Sequence, residues 1–347
     1  MDKRIGVLGA GNSGLALSAH LASLGYEVSL WNRSDNNILE LKESKSVSTI
    51  GEIKGVFKLK VVTSNIDDVV QDNQLLFITT PAFAHKDIAI KIKNSITPSH
   101  KILLMPGRTF GCLEFISALE SVGASIPHVF ETETILHTCR KISQTSVDII
   151  TVKKKIYITS ANSSVNVILE ELDAKLKSHF IVKSNYLEST LSNVGPLLHV
   201  APVIFSFTKI EYGEEFLYYK QGISPTVSKF IEKIEQERIK VLKYLGINHE
   251  SLYLWFEKCY GIKADNLKEC IIKNNYYDTI IAPKSINHRY ILEDVPYGLV
   301  PLESIAIYNQ IEVPTITSLI TIVSSLYEID FRSNGRIYAN LKKYINE

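Results

Sequence analysis

The sequence predicts an α/β N-terminal domain, built on a doubly wound and mostly parallel sheet, followed by an all-helical C-terminal domain. First, a chain of 347 residues exceeds the usual size of a single hydrophobic core. Second, short apolar runs alternate with helical patterns up to about residue 180, which is typical of a parallel sheet covered by helices. Third, strand-type alternation nearly disappears after about residue 185. We therefore expect two domains, residues 1–184 and 185–347.

The elements of each domain follow from the spacing of the apolar residues. In the first domain we expect strands at residues 5–8, 27–31, 74–79 and 101–104, with weaker candidates at 128–130, 155–158 and 180–182. Between the last two strands, apolar residues at helical spacing predict one crossover helix over residues 165–177. In the second domain, helical periodicity covers residues 186–207, 225–245 and 251–260.

The charge and cysteine content exclude several classes of partner. Because 38 Lys and Arg balance 37 Asp and Glu, the net charge of +1 creates no field that would recruit nucleic acid or an acidic membrane. We interpret the densest basic stretch, Lys153–Lys155, as a solvated turn before a strand. The four cysteines have neither CxxC spacing nor a metal-ligand spacing with histidine, which argues against disulfides and a metal site and favours a reducing compartment.

The chain also lacks the sequence signals of export or membrane insertion. The charged start, Asp2-Lys3-Arg4, does not resemble a signal peptide. No apolar run approaches the roughly 20 residues that span a bilayer. We expect a cytoplasmic protein without nucleic-acid, membrane or metal partners.

A glycine motif follows the first predicted strand directly. Residues 9–14 read Gly-Ala-Gly-Asn-Ser-Gly, the GxGxxG pattern, and a helix follows. In such a motif Gly9 makes the tight turn, Gly11 lets a pyrophosphate approach the backbone, and Gly14 allows close packing of helix on strand. The N–H groups of the first helical turn, at Asn12 and Ser13, favour an anion. Because strand, glycines, helix and second strand occur in this order, we predict a Rossmann domain that binds NAD or NADP rather than an ordinary glycine-rich turn.

The end of the second predicted strand indicates which dinucleotide is used. An acid at this place would accept a hydrogen bond from the ribose 2′-hydroxyl of NAD, whereas an arginine accommodates the 2′-phosphate of NADP. The sequence has Asn32, Arg33 and Ser34 here, which favours NADP. Two alternatives stay open: Arg33 stacks on the adenine, or Asp35 reaches the ribose and NAD is used.

Two further strand ends are expected to line the cofactor. Thr80 and Pro81 follow the strand at residues 74–79, and Pro106-Gly107 follows the strand at 101–104. Ligands of open α/β sheets bind at the carboxyl ends of the strands, where both pairs lie.

Two segments of the second half combine titratable residues with prolines and glycines. His199 closes the stretch Asn-Val-Gly-Pro-Leu-Leu-His at residues 193–199, and Arg289 and Asp294 lie within residues 288–301. Taken alone, His199 is a titratable group on an apolar helix and is compatible with a core histidine. Arg289 and Asp294 are equally compatible with a structural ion pair.

Together these segments resemble a known family. GAGNSG, TTPAFAH, MPGRTFG, ETETILHTCR, NVGPLLH and RYILEDVPYGLVP resemble the octopine/nopaline (opine) dehydrogenase family, from about residue 4 to about residue 310. The resemblance implies a Rossmann domain followed by a helical domain, with the substrate in the cleft between them. It also implies condensation of the amine of an amino acid with a 2-oxo acid such as pyruvate, and reduction of the imine by NADH or NADPH.

The resemblance assigns roles to particular residues. It implies that His199 is the catalytic acid/base and Asp294 its carboxylate partner. It also implies that Arg289 binds a substrate carboxylate through its planar fork, which suits bidentate contacts. Cys139 matches a cysteine near the active site of some members, or is a small buried hydrophobe. A second group for the second substrate carboxylate is required but not identified.

Two other functions are compatible with the same two-domain architecture. One is a 2-oxo acid or ketone reductase of the ketopantoate reductase type, which uses a lysine of the helical domain as proton donor; here His199 occupies the corresponding stretch. The other is a protein that senses NADP without catalysis. A homodimer formed through the helical domain is the expected assembly.

Overall fold

The computed structural model describes residues 3–248 and 250–345 and divides into two compact units. One comprises Met1–Tyr186 with Tyr344–Glu347, and the other Leu187–Lys343. The expected boundary, after residue 184, lies close to this division. Met1 and Asp2, at the start of the first expected domain, and Glu347, at the end of the second, lie outside the described residues.

The described residues of the first unit form twelve strands in two sheets. They are β1 Arg4–Leu8, β2 Glu27–Trp31, β3 Ser46–Gly51, β4 Gly55–Lys58, β5 Val61–Thr63, β6 Leu75–Ile78, β7 Lys101–Leu104, β8 His128–Thr132, β9 His137–Lys141, β10 Ser146–Val152, β11 Ile156–Ser160 and β12 Phe180–Val182. The predicted strands at 27–31, 101–104 and 180–182 have the observed bounds, and the other predicted strands differ only at their ends.

The larger sheet has the order β12-β11-β8-β7-β6-β1-β2-β5. All neighbouring strands are parallel except β8 and β11. Six of these strands, β5-β2-β1-β6-β7-β8, have the order typical of dinucleotide-binding folds, in which the direction of winding reverses between β1 and β6. The predicted doubly wound, mostly parallel sheet is therefore confirmed, and the reversal places the ends of β1 and β6 side by side.

The smaller sheet, in the order β4-β3-β10-β9, was not predicted. Its strands carry polar residues at many positions, as in His-Thr-Cys-Arg-Lys of β9, and only alternate residues of β10 are buried. Such strands lack the continuous apolar runs of a sheet covered on both faces. Helix α1, Asn12–Ser23, packs against β9 and β10.

The interpretation of Lys153–Lys155 as a solvated turn was wrong for Lys153. This residue follows β10, is buried, and its ammonium donates a hydrogen bond of 2.7 Å to the Ile135 carbonyl oxygen. The backbone acceptor satisfies a buried charge that the sequence alone gave no reason to place inside.

The other helices before the second unit are short. They are α2 Leu39–Ser44, α3 Asp67–Val70, α4 His85–Lys91, α5 Gly111–Ser121, α6 Asn166–Leu169, α7 Ala174–Lys177 and α8 Tyr186–Thr190, which contains the division between the units. The single crossover helix predicted at 165–177 was wrong. The segment forms two one-turn helices, because the Asp173 side chain accepts a hydrogen bond from the Lys175 N–H and begins α7 anew.

The second unit is helical, as predicted. It contains α9 Gly195–Phe205, α10 Phe207–Glu211, α11 Tyr218–Gly222, α12 Pro225–Tyr244, α13 Leu252–Tyr260, α14 Leu267–Lys273, α15 Arg289–Leu292, a π-helical turn at Val295–Leu299, α16 Val300–Tyr308, α17 Pro314–Tyr327 and α18 Tyr338–Leu341. The pattern at 186–207 is not continuous, because Pro196 occupies the first turn of a new helix, where a missing N–H costs nothing. Among the described residues, no helix combines the length and apolarity needed to cross a bilayer.

Candidate active site

Of the three glycines after β1, Gly9 and Gly14 occupy positions where a side chain would be strained or would clash, and Gly11 faces open space. Gly9 has φ of +119°, a conformation that side chains strain. A Cβ on Gly14 would lie 1.7 Å from the Gly9 carbonyl oxygen, so α1 packs directly on the turn. A Cβ on Gly11 would meet no atom within 4 Å. The loop therefore leaves open space at Gly11, beside the N-terminus of α1.

Thr80 and Pro81 lie at the end of β6, next to this loop. A Cβ on Gly9 would lie 3.0 Å from Thr80 Cγ2, and Pro81 precedes the short turn Ala82–Ala84. The Thr80 hydroxyl is buried and has no hydrogen-bond partner within the described chain. A buried, unsatisfied hydroxyl beside an open anion-binding helix terminus fits a bound dinucleotide.

Asn12 and Ser13 begin α1. The Asn12 side-chain oxygen accepts a hydrogen bond of 2.9 Å from the Lys141 backbone N–H, so this side chain holds β9 to the loop. Gly11, at the helix N-cap, has no side chain that could satisfy the N–H groups of the first turn. These N–H groups remain suited to a pyrophosphate.

The three polar residues Asn32, Arg33 and Asp35, which follow β2, have different surroundings. Asn32 Oδ1 accepts a hydrogen bond of 3.3 Å from the Ala10 N–H, and its Nδ2 donates one of 2.9 Å to the Ser34 carbonyl oxygen. Arg33 is exposed. Asp35 is ion-paired with Lys42, and the hydrogen bond from Lys42 holds the pKa of the Asp35 carboxyl below its usual value.

In the second unit, His199 and Asp294 form a pair. They are 95 positions apart in the chain, yet His199 Nδ1 lies 2.7 Å from Asp294 Oδ2. His199 lies on α9, and Asp294 directly precedes the π-helical turn. The Asp294 side chain is fully buried, whereas the His199 side chain is 14% exposed. The histidine therefore combines a shielded carboxylate partner with partial access from outside.

Three tyrosines surround the imidazole. The Tyr219 hydroxyl lies 3.0 Å from His199 Nε2, the ring nitrogen that does not face Asp294. The Tyr290 ring stacks on the imidazole with a centroid distance of 4.0 Å. The Tyr218 hydroxyl donates to the His199 carbonyl oxygen, and burial raises the Tyr218 pKa well above its usual value, so this hydroxyl stays protonated. The sequence offered no spacing signal that distinguished Tyr218 and Tyr219 from core residues.

The two sequence segments of the second unit meet one helical turn away from this pair. A Cβ on Gly298 would lie 2.0 Å from Pro196 Cγ, so only glycine lets the π-helical turn approach α9 this closely. Pro196 lies three residues before His199, and Gly298 lies four residues after Asp294. The close packing of Pro196 and Gly298 therefore sets the spacing between imidazole and carboxylate.

Arg289 is not the partner of Asp294. Its Nε lies 3.0 Å from Glu293 Oε2, and the Arg289 side chain is 34% exposed whereas Glu293 is buried. The alternative of a structural Arg289–Asp294 pair is thus wrong. Cys139 belongs to the first unit, where it is buried on β9 opposite Ile149.

Two sequence profiles and a relative similar over nearly its full length match this chain. The sequence profile described as NAD/NADP octopine/nopaline dehydrogenase, alpha-helical domain, matches residues 182–327. The profile of the NAD-dependent glycerol-3-phosphate dehydrogenase N-terminus matches residues 4–107. An opine dehydrogenase from Arthrobacter sp. is 32% identical over 98% of this chain and 95% of its own length.

Solved structures show the same fold. An octopine dehydrogenase in complex with NADH and agmatine superposes with a TM-score of 0.77 at 19% identity, covering 98% of this chain and 95% of that chain. A ketopantoate reductase from Ralstonia eutropha has a TM-score of 0.62 at 14% identity, covering 94% and 98%. Members of the opine dehydrogenase family are NAD- or NADP-dependent oxidoreductases that act on CH–NH groups and join an amino acid to a 2-oxo acid. Because the Arthrobacter relative is 32% identical over nearly the whole of both chains, this chain belongs to that family.

Proposed function

We propose that this chain condenses the amine of an amino acid with a pyruvate-like 2-oxo acid, preferring NADPH, and that His199 is its catalytic acid/base. The observation that supports this role best is the arrangement around the imidazole. Asp294 occupies Nδ1 and Tyr219 occupies Nε2, while the side chain keeps some exposure. A core histidine has no need of a fully buried carboxylate, whose desolvation is costly.

Asp294 fixes which nitrogen of His199 exchanges protons. A carboxylate only accepts hydrogen bonds, so Nδ1 carries its hydrogen toward Asp294 and Nε2 is left for chemistry. A partner on the second nitrogen orients an imidazole and stabilises its protonated form, as in other acid/base histidines. Tyr219 then contacts the working nitrogen directly.

The reaction requires one proton transfer by His199 in each direction. The substrate amine attacks the carbonyl carbon of the 2-oxo acid, and the resulting carbinolamine must lose its hydroxyl as water. Protonated His199 donates the proton that this departure requires. In the reverse direction, neutral His199 accepts a proton from the water that attacks the imine. The reduced nicotinamide supplies the hydride when bound.

Arg289 is proposed to bind a substrate carboxylate. Glu293 is ion-paired with the guanidinium at Nε, and the terminal N–H groups form a planar fork suited to two carboxylate oxygens. The partial exposure of the side chain supports this role. For Cys139, burial within a sheet of the first unit supports the alternative of a small buried hydrophobe.

The preference for NADPH is supported by the segment after β2. Asp35, the acid that an NAD site would direct at the ribose, is paired with Lys42 instead. Arg33 is exposed and available to a 2′-phosphate. Gly9, Gly11, Gly14, Thr80 and Pro81, with the first turn of α1 at Asn12 and Ser13, would hold the rest of the dinucleotide.

The test is the dependence of NADPH oxidation on both substrates. Purified enzyme is given pyruvate with and without each of a panel of amino acids, and the secondary-amine product is identified by mass spectrometry. We expect oxidation only when an amino acid is present. Equal turnover without any amine would indicate a 2-oxo acid reductase, and cofactor binding without turnover across the panel would indicate a sensing protein. A cytoplasmic location and a homodimer stay predictions alongside this proposal.

A further inference from the structure

The unpredicted smaller sheet contacts the cofactor loop of the first unit. Strand β9 of this sheet ends at Lys141, whose backbone N–H donates a hydrogen bond to Asn12 Oδ1. The Lys141 ammonium donates a hydrogen bond of 3.2 Å to the Ala10 carbonyl oxygen, in the middle of the glycine motif. Lys141 therefore contacts the motif through both its backbone and its side chain.

The turn between β9 and β10 contacts the other loop of the cofactor site. Gln144 Nε2 donates to the Asn36 carbonyl oxygen at 3.2 Å, and Gln144 Oε1 accepts from the Glu40 N–H at 3.2 Å. These contacts anchor the hairpin to the segment that follows β2. Lys141 is thus held between the two loops that form the adenosine end of a Rossmann site.

The position of Asn32 identifies the part of the cofactor that Lys141 faces. In this fold the residue at the end of the second strand faces the 2′ position of the adenosine ribose. Asn32 lies there and accepts a hydrogen bond from the Ala10 N–H. The carbonyl group of the same residue, Ala10, accepts from Lys141. The ammonium consequently lies at the ribose corner of the loop rather than at the far end of the helix.

The Lys141 ammonium is in no ion pair among the described residues, although the Glu40 carboxylate acts on it from a greater distance. Among the ion pairs of the described residues, none includes Lys141, whereas the nearby Lys42 is paired with Asp35. One hydrogen bond to a carbonyl oxygen leaves two of the three ammonium donors for another group. Burial lowers the Lys141 pKa, which marks a cation that gains from an incoming anion.

We propose that Lys141 binds the 2′-phosphate of NADPH and is, with Arg33, a determinant of cofactor preference. This inference depends on the proposed preference for NADPH. The two cations have different roles. Arg33 contributes an exposed side chain next to the ribose position, whereas Lys141 is held in place by β9 and the hairpin. A pre-positioned cation loses little side-chain entropy when the phosphate binds.

The test compares ligands that differ only in the 2′-phosphate. Dissociation constants of 2′,5′-ADP, 5′-AMP, NADPH and NADH are measured by calorimetry for wild type and for Lys141→Met, Lys141→Gln and Lys141→Arg. Lys141→Gln keeps a donor for the Ala10 carbonyl oxygen but removes the charge. Lys54→Met removes an exposed lysine from the turn between β3 and β4 of the same sheet and serves as the matched control. Thermal melting establishes that each variant is folded.

We expect Lys141→Met and Lys141→Gln to weaken 2′,5′-ADP and NADPH by about 10- to 100-fold, the loss typical of one charge-assisted hydrogen bond. Binding of 5′-AMP and NADH should stay near wild type, Lys141→Arg should retain most of the affinity, and Lys54→Met should change nothing. Equal losses for NADPH and NADH would overturn the proposal, because they would indicate a pyrophosphate contact or a structural role through Asn12. Unchanged binding would overturn it as well.

The same measurements distinguish a failure of the proposed NADPH preference from a failure of the proposed role of Lys141. If wild type does not prefer 2′,5′-ADP to 5′-AMP, the preference for NADPH is wrong and the role of Lys141 is wrong with it. If wild type discriminates and Lys141→Met discriminates equally, only the role of Lys141 is wrong. Arg33 would then account for the preference.

Discussion

The glycine loop of the first unit and the histidine cluster of the second place their functional atoms by different means. In the loop, the turn at Gly9 and the packing of Gly14 on it are properties of six consecutive residues. In the cluster, His199 and Asp294 come from segments 95 positions apart and are brought together by the contact of Pro196 with Gly298. One site is a local backbone geometry, and the other is a product of helix packing.

This difference determines how each site responds to substitution. As proposed, the loop binds the cofactor through backbone N–H groups, so affinity is expected to be distributed over several contacts and to be modified by neighbouring side chains. The proposed mechanism concentrates proton transfer in the His199 imidazole, so loss of that ring is expected to remove the step. We expect the largest single effects on turnover in the helical unit, and effects on cofactor choice in the first unit.

His199→Ala should lower kcat by roughly 10²–10⁴, the contribution of a positioned acid or base. Affinity for NADPH should stay near wild type, because the glycine loop is not altered. Steady-state kinetics of opine synthesis and calorimetric cofactor binding measure the two effects separately. Asp294→Asn should lose less, since it misorients the imidazole without deleting it, and His128→Ala, a histidine of the first unit, is the control.

A His199→Ala enzyme with more than a third of normal turnover would return His199 to the role of a core histidine. The direction of the reaction gives a second check on the same residue. Synthesis needs protonated His199 and oxidation needs the neutral form, so the pH optimum for synthesis should lie below that for opine oxidation. Coincident optima would contradict the proposed role.

Acid should destabilise the first unit through a buried pair of histidines. His20 of α1 and His137 of β9 lie 2.9 Å apart through Nδ1 and Nε2, and both are buried. Burial, together with the nearby His179, lowers the pKa of His20 to about 4, and burial lowers that of His137 well below its usual value. Both rings are therefore neutral in the folded protein at neutral pH.

The sign of the stability effect follows from these directions. Below about pH 6.5, His20 and His137 bind protons in the unfolded chain but stay neutral in the folded protein. The free energy of unfolding therefore falls as pH decreases toward 4. For His20 the loss reaches about 3 kcal/mol. Urea unfolding at several pH values should show it, and His20→Gln should flatten the dependence. A pH dependence identical to that of wild type in His20→Gln would contradict the account.

Arg33→Ala should raise the Michaelis constant for NADPH by roughly 10- to 100-fold and leave that for NADH nearly unchanged, because one charge-assisted contact contributes about 1.5–3 kcal/mol. Initial rates with each cofactor provide the measurement, and Lys58→Ala, an exposed lysine of β4, controls for the loss of charge. A wild-type enzyme that prefers NADH would overturn the assignment directly.

The sequence predicted the loop better than the cluster for a physical reason. GxGxxG encodes its geometry within consecutive residues, and the buried parallel strands around it are continuous apolar runs. The smaller sheet has strands with many polar residues, so β9 and Lys141 were not anticipated. In the helical unit, His199 and Asp294 were paired only through family resemblance, and the contribution of Tyr219 depends on helix packing that no spacing rule reveals.

Tyr219→Phe tests how much the Tyr219 hydroxyl, which no sequence motif indicated, contributes to turnover by His199. The substitution removes the hydroxyl 3.0 Å from His199 Nε2 but keeps the ring that stacks on Tyr277 at 3.9 Å. A single hydrogen bond contributes about 0.5–1.5 kcal/mol, so kcat should fall by roughly 3- to 10-fold. Because the hydroxyl contacts the nitrogen that we propose exchanges protons, the pH profile of kcat should also shift, which loss of packing alone would not cause. Tyr212→Phe, an exposed tyrosine of the same unit, should alter neither quantity. A Tyr219→Phe enzyme with reduced kcat and an unchanged pH profile would assign Tyr219 to packing and leave Asp294 as the residue that tunes His199.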